Sequence, residues 1–586
     1  MPSQHAPSTP ARLTATATRK LPRAVLILAG ITYILAGLFF RDPWKTDDVV
    51  GLATMLSAVN SADITAWLLP RIGSLTYTHD GPLITWAGAL SIHVFAPFLE
   101  LFTTPLDAAI IASRLPNLLW FALLGSSVWY GTYLLGRRPE PQPLALPFGG
   151  EPSVHDYGRM IADAALLLIL ATIGIIWLLH ETSAVPAQLA FQALSFYAVA
   201  RMLDRPVSGS ITLGISLAAV FLTRGWLGVL PVLLAVLLCF RRQSPLYRHK
   251  KWLALTLPIT GIIALLWWLP ANWHGHYWIK QWWHWHTSQL GWPNLGHLTR
   301  VARDLPWFLW PVWPFTLFAL WRWRGWYAAP HIWVPLMFAA LPAAFILFVE
   351  SASEPEFSLL AVPCAVLAAF ALPTLRRGLV NALDWFAVMC FSLAIATVWL
   401  GWAAQQSGWP PKIAHNIARQ TTGYDITFSW AALIIAAAGT LLWLIMVRWR
   451  VMTHPRALWR GTVLSASGLL VTWLLLVTLW MPALDYARSY REVSGELAAV
   501  LDRHVQPGDC LRALNVGAGQ RASFAVFNDL DLTFNTRCRF ILQQANQSDV
   551  ADQTVYTPDN AYVIWEGKRR ADRHEMFRLL VRLPAD

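Results

Sequence analysis

Long apolar runs alternate with short polar segments along the chain from residue 24 to residue 484. Most runs have roughly 17 to 25 residues, which is long enough for an α-helix to cross a lipid bilayer. They lack the two-residue alternation of apolar and polar positions that marks a transmembrane β-barrel. The pattern therefore predicts an α-helical polytopic membrane protein.

Lys and Arg concentrate in a few of the short polar segments, such as 136–138, 241–251 and 448–460. Short loops rich in these residues usually lie on the cytoplasmic side of a membrane. Placing them there predicts thirteen spans, at about 24–40, 108–135, 161–179, 187–203, 208–222, 226–240, 252–270, 306–321, 331–349, 357–373, 379–400, 429–447 and 461–484. The apolar segment 83–99 breaks the alternation, and we expect it to form a helix at the outer membrane interface.

The first apolar run, 24–40, follows three basic residues and could be a signal peptide. No small-x-small cleavage site follows it, and the next residues are RDPWKTDD. These features favour a retained membrane span.

The composition agrees with a membrane protein, since 56% of the 586 residues are hydrophobic and only 13% are charged. Soluble proteins carry about a quarter charged residues. The net charge of +12 would suit a nucleic-acid-binding protein, but the basic residues follow the loop pattern described above. The 34 Trp residues fit a chain with many lipid interfaces, where indole rings anchor helices.

Three regions follow from these patterns: a disordered cytoplasmic tail over 1–20, a membrane-embedded unit over 21–484, and an extracytoplasmic α/β domain over 485–586. The last region begins with an amphipathic pattern that predicts a helix over 485–505. Four short runs rich in β-forming residues follow and predict strands, at 510–516, 537–544, 561–567 and 576–583.

The five cysteines divide between the two larger regions. Cys239, Cys364 and Cys390 lie in predicted spans, where a thiol behaves as a small apolar group. Cys510 and Cys538 lie in the domain that we place outside the cell. An oxidising compartment makes this pair a disulfide candidate, and two unpaired thiols are the alternative.

Polar residues that lipid contact does not explain occur in outer segments, chiefly 41–82, 180–186, 223–226 and 272–304. A carboxylate at a membrane boundary is costly unless it is solvated or paired, so it is a candidate site residue. Asp47 and Asp48 stand together at the start of an amphipathic segment. With Thr46 they would also suit a helix N-terminus, and the two roles are compatible.

The segment 272–304 contains five His residues, which raises the question of a metal site: His274, His276, His284, His286 and His297. No His-x-x-x-His on a helix and no cysteine pair accompanies them, so we predict no metal. Interfacial Trp mixed with Lys, Arg and His instead suggests a loop that contacts a lipid headgroup and its phosphate.

Several motifs in this order resemble the first outer loop and following spans of the lipid-linked-sugar glycosyltransferases. They are the acid pair Asp47-Asp48, then WLLPR at 67–71, YTHDGPL at 77–83, SRLPNLL at 113–119 and FLTRGWLGVLPVLL at 221–234. That family includes the aminoarabinose transferase of lipid A and, more distantly, the protein O-mannosyltransferases, which share the C-type glycosyltransferase superfold. The motif resemblance covers roughly residues 24–375, and the remainder resembles the family in architecture.

The resemblance implies an inverting glycosyltransferase in a bacterial inner membrane. It would move a sugar from a polyprenyl-phosphate donor to an extracytoplasmic lipid A, glycolipid, polysaccharide or protein, without a required cofactor. It also implies roles for residues. Asp47 would be the catalytic base and Asp48 would cap or orient; the donor phosphate would contact Arg71, Arg224, Lys280, Arg300 or Arg303; and His79, Asp80 and Glu181 would bind substrate.

Two positions depart from the family pattern and indicate a divergent subfamily. His79-Asp80-Gly81-Pro82 stands where the family has Glu-Lys-Pro-Pro, so the acid is shortened and the lysine is lost. Ala187 stands where the family usually has an Asp, and Glu181 is the candidate substitute. A transporter or flippase of lipid-linked sugars is the alternative function. We find no internal repeat of the kind that transporters often show.

Overall fold

The computed structural model describes residues 9–18, 20–45, 47–145, 149–453, 460–551, 555, 558 and 560–583. Parts of three predicted features lie outside the described residues, namely 1–8 and 19 of the tail, Thr46 of the proposed helix start, and 454–459 of the last basic loop.

Helices make up most of the described chain before residue 490. The first eleven are α1 (Arg23–Leu35), α2 (Asp47–Val59), α3 (Thr65–Leu68), α4 (Leu83–Leu99), α5 (Pro105–Arg114), α6 (Pro116–Gly136), α7 (Val154–Ala171), α8 (Ile173–Leu178), α9 (Val185–Met202), α10 (Pro206–Cys239) and α11 (Leu253–His274). The next eleven are α12 (His276–Ser288), α13 (Leu295–Phe308), α14 (Val312–Arg322), α15 (Pro330–Ile346), α16 (Glu354–Ser358), α17 (Ala361–Ala371), α18 (Arg377–Ser407), α19 (Pro411–Gln420), α20 (Trp430–Thr453), α21 (Arg460–Leu475) and α22 (Met481–Arg488).

Within the described residues, seven helical stretches are long and apolar enough to cross a membrane. They are Pro105–Gly136, Pro206–Cys239, Pro245–His274, Glu354–Thr374, Gly378–Ser407, Trp430–Met452 and Gly461–His504. Three shorter apolar helices, α1, α4 and α15, accompany them. The predicted α-helical polytopic fold is therefore confirmed, while the count of thirteen spans stays a prediction.

The 34 residues of α10 form two helices that pack side by side. Arg224 and Gly225 leave helical backbone angles, and Gly225 has φ +61°. A Cβ atom on Gly228 would lie 3.6 Å from the carbonyl oxygen of Val220. Eight residues of straight helix rise about 12 Å, so the chain must reverse between these two residues. The predicted pair of spans, 208–222 and 226–240, thus forms a helical hairpin with its turn at Arg224.

The predicted interfacial helix over 83–99 is present as α4. Gly88, Ala89 and Ile92 are buried on one face, while Leu90 and Phe98 on another face are exposed. An apolar face that the protein does not cover suits contact with lipid at the membrane surface.

The C-terminal region forms a five-stranded sheet in the order β4-β3-β5-β7-β6. A two-stranded ribbon earlier in the chain comprises β1 (Arg71–Ile72) and β2 (Leu75–Thr76); the sheet comprises β3 (Leu511–Leu514), β4 (Leu532–Thr533), β5 (Phe540–Asn546), β6 (Ala561–Gly567) and β7 (Glu575–Arg582). Strand β3 is parallel to β4 and β5, and β7 is antiparallel to β5 and β6. The helices of this region are α23 (Arg491–His504), α24 (Ala518–Asn528) and α25 (Gln547–Ala551).

All four predicted strands correspond to strands of this sheet. The predicted helix over 485–505 is divided between α22 and α23, because Ser489 takes an extended conformation between them. Helix α24 and strand β4 have no counterpart in the prediction. Cys510 and Cys538 form a disulfide, which links the residue before β3 to the chain entering β5.

The sheet region packs on the segment 41–76 of the membrane unit. Asp42 accepts hydrogen bonds from Arg491 at 3.1 Å and from Ser489 at 2.6 Å. Helix α24 lies against α2, where Ala522 and Val526 share an apolar core with Val49. We call this end of the molecule the sheet end and the end with the basic loops the basic end.

Candidate active site

Asp47 is the first residue of α2 and lies at the sheet end of the helical bundle. Its carboxylate is half-buried and makes no hydrogen bond or ion pair with any residue that the structure describes. Burial raises the pKa of Asp47 to about 6, and the nearby charge of Asp80 acts in the same direction. A carboxylate with this pKa can accept a proton near neutral pH.

Asp48, the next residue, is fully buried in an ion-pair network. Its carboxylate lies 2.7 Å from Arg41 Nη1 and 3.4 Å from Arg114 Nη2, and it accepts a 2.8 Å hydrogen bond from the Thr182 amide. Burial alone would raise the pKa of Asp48, but Arg41, Arg114 and the Thr182 amide together bring it to about 2. Asp48 therefore stays ionised and joins the start of α2 to the neighbouring helices.

Arg224 faces Asp47 from the turn of the helical hairpin. Its Nη1 donates to Asp80 at 3.0 Å, and its Nη2 donates to Glu356 at 2.7 Å. The same Glu356 caps α16 by accepting a 3.0 Å bond from the Ser353 amide. The two carboxylates hold the guanidinium in one orientation, which a long exposed side chain would not keep by itself.

Two glycines allow this hairpin turn to approach its neighbours. A Cβ atom on Gly225 would lie 2.3 Å from His286 Nε2, so only glycine fits beneath that ring. A Cβ atom on Gly81 would lie 2.1 Å from the carbonyl oxygen of Leu222, and the Gly81 amide donates to the Thr223 oxygen at 2.9 Å. The Asp80-Gly81 segment is thus anchored directly to the backbone beside Arg224.

His79 stacks on Trp285 of α12, with 4.2 Å between the ring centroids. Burial lowers the pKa of His79 to about 4, and the charge of Arg224 adds to this effect. The imidazole is therefore neutral at pH 7. Together with Trp285 it offers an aromatic face beside Asp80.

Glu181 lies close enough to Asp47 to interact with it electrostatically, in the short connection between α8 and α9. It is buried, and it accepts a 2.7 Å hydrogen bond from the Trp177 indole. Burial raises the pKa of Glu181 well above its usual range, and the charge of Asp48 contributes. The indole of Trp177 stacks in turn on Trp44, with centroids 4.6 Å apart.

The other predicted cations make no hydrogen bond or ion pair with this cluster among the described residues. Arg71 donates to Ser61 Oγ at 2.8 Å and lines a separate cavity of about 730 Å³ between α2, α4 and α24. Arg300 donates to the carbonyl oxygen of Glu350 at 2.7 Å. Arg303 pairs with its neighbour Asp304 at 2.6 Å, and Lys280 is exposed on α12.

Arg41, Arg114 and Glu356 are parts of the site that the sequence reasoning did not assign. Arg114 belongs to the SRLPNLL motif, and this motif was the one sequence feature that could have pointed to it. Glu356 lies about 130 residues from Arg224 along the chain, and no local pattern connects them. Within the described ranges, no group of three or more His, Cys, Asp or Glu side chains is arranged to hold a metal ion.

The arrangement combines a carboxylate of raised pKa, Asp47, with an oriented cation. Asp80 and Glu356 orient the Arg224 guanidinium beside it. Two stacked ring pairs lie near these residues, His79 with Trp285 and Trp44 with Trp177. Aromatic rings commonly line ligand-binding sites. Acid–base chemistry on a hydroxyl next to an anionic leaving group is what these residues can support.

No protein-family model matches the chain, and no match is found among the curated proteins. Two solved structures resemble it over 95% of its length and 97% of theirs, both of ArnT from Cupriavidus metallidurans. The one bound to undecaprenyl phosphate has a TM-score of 0.61 at 13% identity, and the apo form has 0.60 at 13%. The chain therefore has the fold of the aminoarabinose transferase ArnT, a multi-pass membrane fold.

Proposed function

We propose that the protein is an inverting glycosyltransferase that moves a sugar from a polyprenyl-phosphate donor to an acceptor hydroxyl. The observation that carries this proposal is the Asp47 carboxylate, which has no partner among the described residues and a pKa of about 6, next to Arg224, which two carboxylates hold. The shared fold supports the proposal, because the ArnT structure of that fold holds undecaprenyl phosphate.

In the proposed reaction Asp47 takes the proton of the acceptor hydroxyl as its oxygen attacks the anomeric carbon. The bond between that carbon and the phosphate oxygen breaks on the opposite face, so the configuration at the carbon inverts. The electron pair leaves with the polyprenyl phosphate, whose charge positively charged side chains stabilise. These steps require no general acid and route nothing through a metal.

Asp80, His79 and Glu181 are proposed to contact the sugar or the acceptor. Asp80 and Glu181 carry oxygens that accept hydrogen bonds from hydroxyl groups. His79 and Trp285 offer a stacked pair of rings to the apolar face of a sugar. Asp48 is proposed to position Asp47, since it holds the first turn of α2 to Arg41 and Arg114.

A polyprenyl tail needs an apolar surface that reaches the site from the bilayer. Helix α11 exposes a stripe that ends next to α12, formed by Ile262, Leu266, Leu269 and Trp273. Its spacing of four and three residues places these side chains on one helix face. We propose that the tail lies along this stripe, with the sheet end of the protein on the extracytoplasmic side.

The function is tested by comparing cells with and without the gene through mass spectrometry of envelope glycolipids and glycoproteins. We expect the wild-type gene to add the mass of one sugar, and that mass identifies the donor and acceptor classes. Purified protein in nanodiscs should then transfer the labelled sugar from its polyprenyl phosphate. A protein that moves the donor across a membrane without transfer would be the alternative transporter or flippase.

Asp47→Asn is the decisive variant in that assay. Loss of a general base typically costs about 10² to 10⁴ in rate, and we expect a decrease in this range without loss of folding. Asp502→Asn, which alters an exposed carboxylate on α23, is the matched control and should transfer normally. Transfer by Asp47→Asn at the wild-type rate would show that Asp47 is not the base.

A further inference from the structure

A pair of arginines packs on a pair of stacked indoles beside the candidate site. The Trp44 and Trp177 rings stack at 4.6 Å, and the Arg41 guanidinium lies 5.2 Å from the centroid of each. Arg488 lies 4.7 Å from Trp44 and 5.7 Å from Trp177. A guanidinium over an indole is attracted by the ring quadrupole, and the contact restricts where the cation can be.

The two arginines differ in what else they bind. Arg41 is buried, and it donates to Asp48 and to the carbonyl oxygen of His180 at 2.8 Å. Arg488 is exposed, and it forms no hydrogen bond or ion pair with any residue in the described part of the chain. Its guanidinium donors are therefore directed by the ring contacts and remain available to a ligand.

The position of Arg488 relates it to Asp47. Trp44 precedes Asp47 by three residues, and Trp177 donates to Glu181, which borders the same site. Glu354, which begins α16, lies near both residues, since its carboxylate interacts electrostatically with Asp47 and with Arg488. Arg488 is thus linked to Asp47 through Glu354, and Arg224 acts on Asp47 directly.

The balance of charge shows why a second cation matters. Asp80 and Glu356 already oppose the single charge of Arg224, and Asp47 adds a third carboxylate near it. An entering phosphate diester would find no excess of positive charge at Arg224. Binding of the phosphate requires a cation whose charge is not already compensated by a carboxylate. That cation must also lie near the anomeric carbon to which the phosphate is bonded.

We propose that Arg488, at the end of α22 where the chain enters the sheet region, binds the donor phosphate. This inference rests on the proposed function. It adds a phosphate-binding residue that neither the sequence motifs nor the resemblance assigns. It also gives the C-terminal region a part in the site, because α22 leads directly into Arg491 and its contact with Asp42.

The test compares full-length wild type, Arg488→Met and Arg488→Lys in nanodiscs, with undecaprenyl phosphate as the probe and the uncharged polyprenol as its control. Arg503→Met, an exposed arginine on α23, is the matched control. We expect Arg488→Met to weaken undecaprenyl phosphate binding roughly ten- to a hundred-fold, as for loss of a hydrogen bond to a charged group. Polyprenol binding and the Arg503→Met variant should be unchanged, and Arg488→Lys should retain part of the affinity.

Binding of undecaprenyl phosphate by Arg488→Met at wild-type affinity would overturn the proposal. In the transfer assay, the donor KM of Arg488→Met should rise while kcat changes far less; an unchanged KM would also overturn it. Arg488-dependent phosphate binding by a wild-type protein that transfers no sugar would support the assignment of Arg488. The same result would contradict the proposed transferase function. Failure of the Arg488 assignment and failure of the proposed function can therefore be distinguished.

Discussion

Asp47 and Asp48 are adjacent in sequence and occupy different environments. Asp48 points into a buried network with Arg41, Arg114 and Thr182, which keeps it ionised. Asp47 faces a different direction, toward the acids around Arg224, and its pKa is raised. The first turn of one helix thus separates a structural carboxylate from a candidate base, because successive helical positions point about 100° apart.

The raised pKa of Asp47 predicts the acid limb of the pH profile. Asp47 acts as a base only when deprotonated, so kcat/KM should fall about tenfold per pH unit below about 6 and level off above it. Asp80→Asn removes a negative charge that disfavours ionisation, so the limb should move to lower pH in that variant. A pH series of initial transfer rates measures both effects. A limb that stays in place in Asp80→Asn would contradict the electrostatic explanation.

Asp48→Asn should destabilise the protein rather than slow its chemistry alone. It would leave Arg41 and Arg114 buried without their counter-charge, a change that typically costs about 3–5 kcal/mol. Because the pKa of folded Asp48 is about 2, below that of an unfolded chain, its stabilisation is present at neutral pH and is lost as pH falls toward 2. Thermal unfolding in detergent measures the loss, with Asp502→Asn as the unaffected reference.

At the scale of elements, the hairpin within α10 determines where Arg224 lies. The turn occupies two residues, and it is supported by the His286 ring, whose Nδ1 lies 2.8 Å from the Trp282 oxygen. The loop carrying Asp80 joins the turn through the Gly81 amide. The hairpin turn, α12 and the loop carrying Asp80 therefore together fix the position of the Arg224 guanidinium. Close backbone contacts at the two glycines leave little room for change.

Gly225→Ala should disrupt this arrangement. The new methyl group would meet His286 Nε2 at 2.3 Å, and the φ of +61° with ψ of −154° is a conformation that costs other residues about 1–3 kcal/mol. We expect lower thermal stability and a large loss of transfer. Gly261→Ala on α11 is the control, since a Cβ there meets nothing within 4 Å. Equal activity of the two variants would show that the turn does not position Arg224.

At the scale of the whole molecule, the sheet region and the membrane unit meet where the candidate site opens. Asp42, Trp44 and Lys45 precede Asp47, and all three bind residues beyond position 484, namely Arg491, Asp485 and Glu575. Asp485 accepts a 2.7 Å bond from the Trp44 indole. The segment that leads into α2 is thus held between the two regions, so the C-terminal region supports the candidate site.

Removing the contact between Asp42 and Arg491 should therefore loosen the segment that leads to Asp47 and lower the rate of transfer. We expect Arg491→Met to increase hydrogen exchange in segment 41–60 and to lower transfer several-fold, because Trp44 and α22 would lose their support. Arg503→Met should do neither. Asp42→Asn combined with Arg491→Met should have less effect than the sum of the single changes, since both remove the same contact. Strict additivity in thermal unfolding would show that the pair is not coupled.

The sequence by itself determined the helical membrane fold, the interfacial helix at 83–99, four of the five strands of the C-terminal sheet, and the acids and hairpin arginine around which the site forms. Those features depend on local periodicity and composition, which each segment carries independently of its partners. Only the tertiary structure decided which charges meet: that Asp48 is neutralised by Arg41 and Arg114 while Asp47 has no partner among the described residues, that Glu356 orients Arg224, and that Arg71 lines a cavity between α2, α4 and α24. Electrostatic roles depend on distance and burial. Arg41 and Asp48 are only seven positions apart, but the other partners are 66 and 132 positions apart and become neighbours only after the helices have packed.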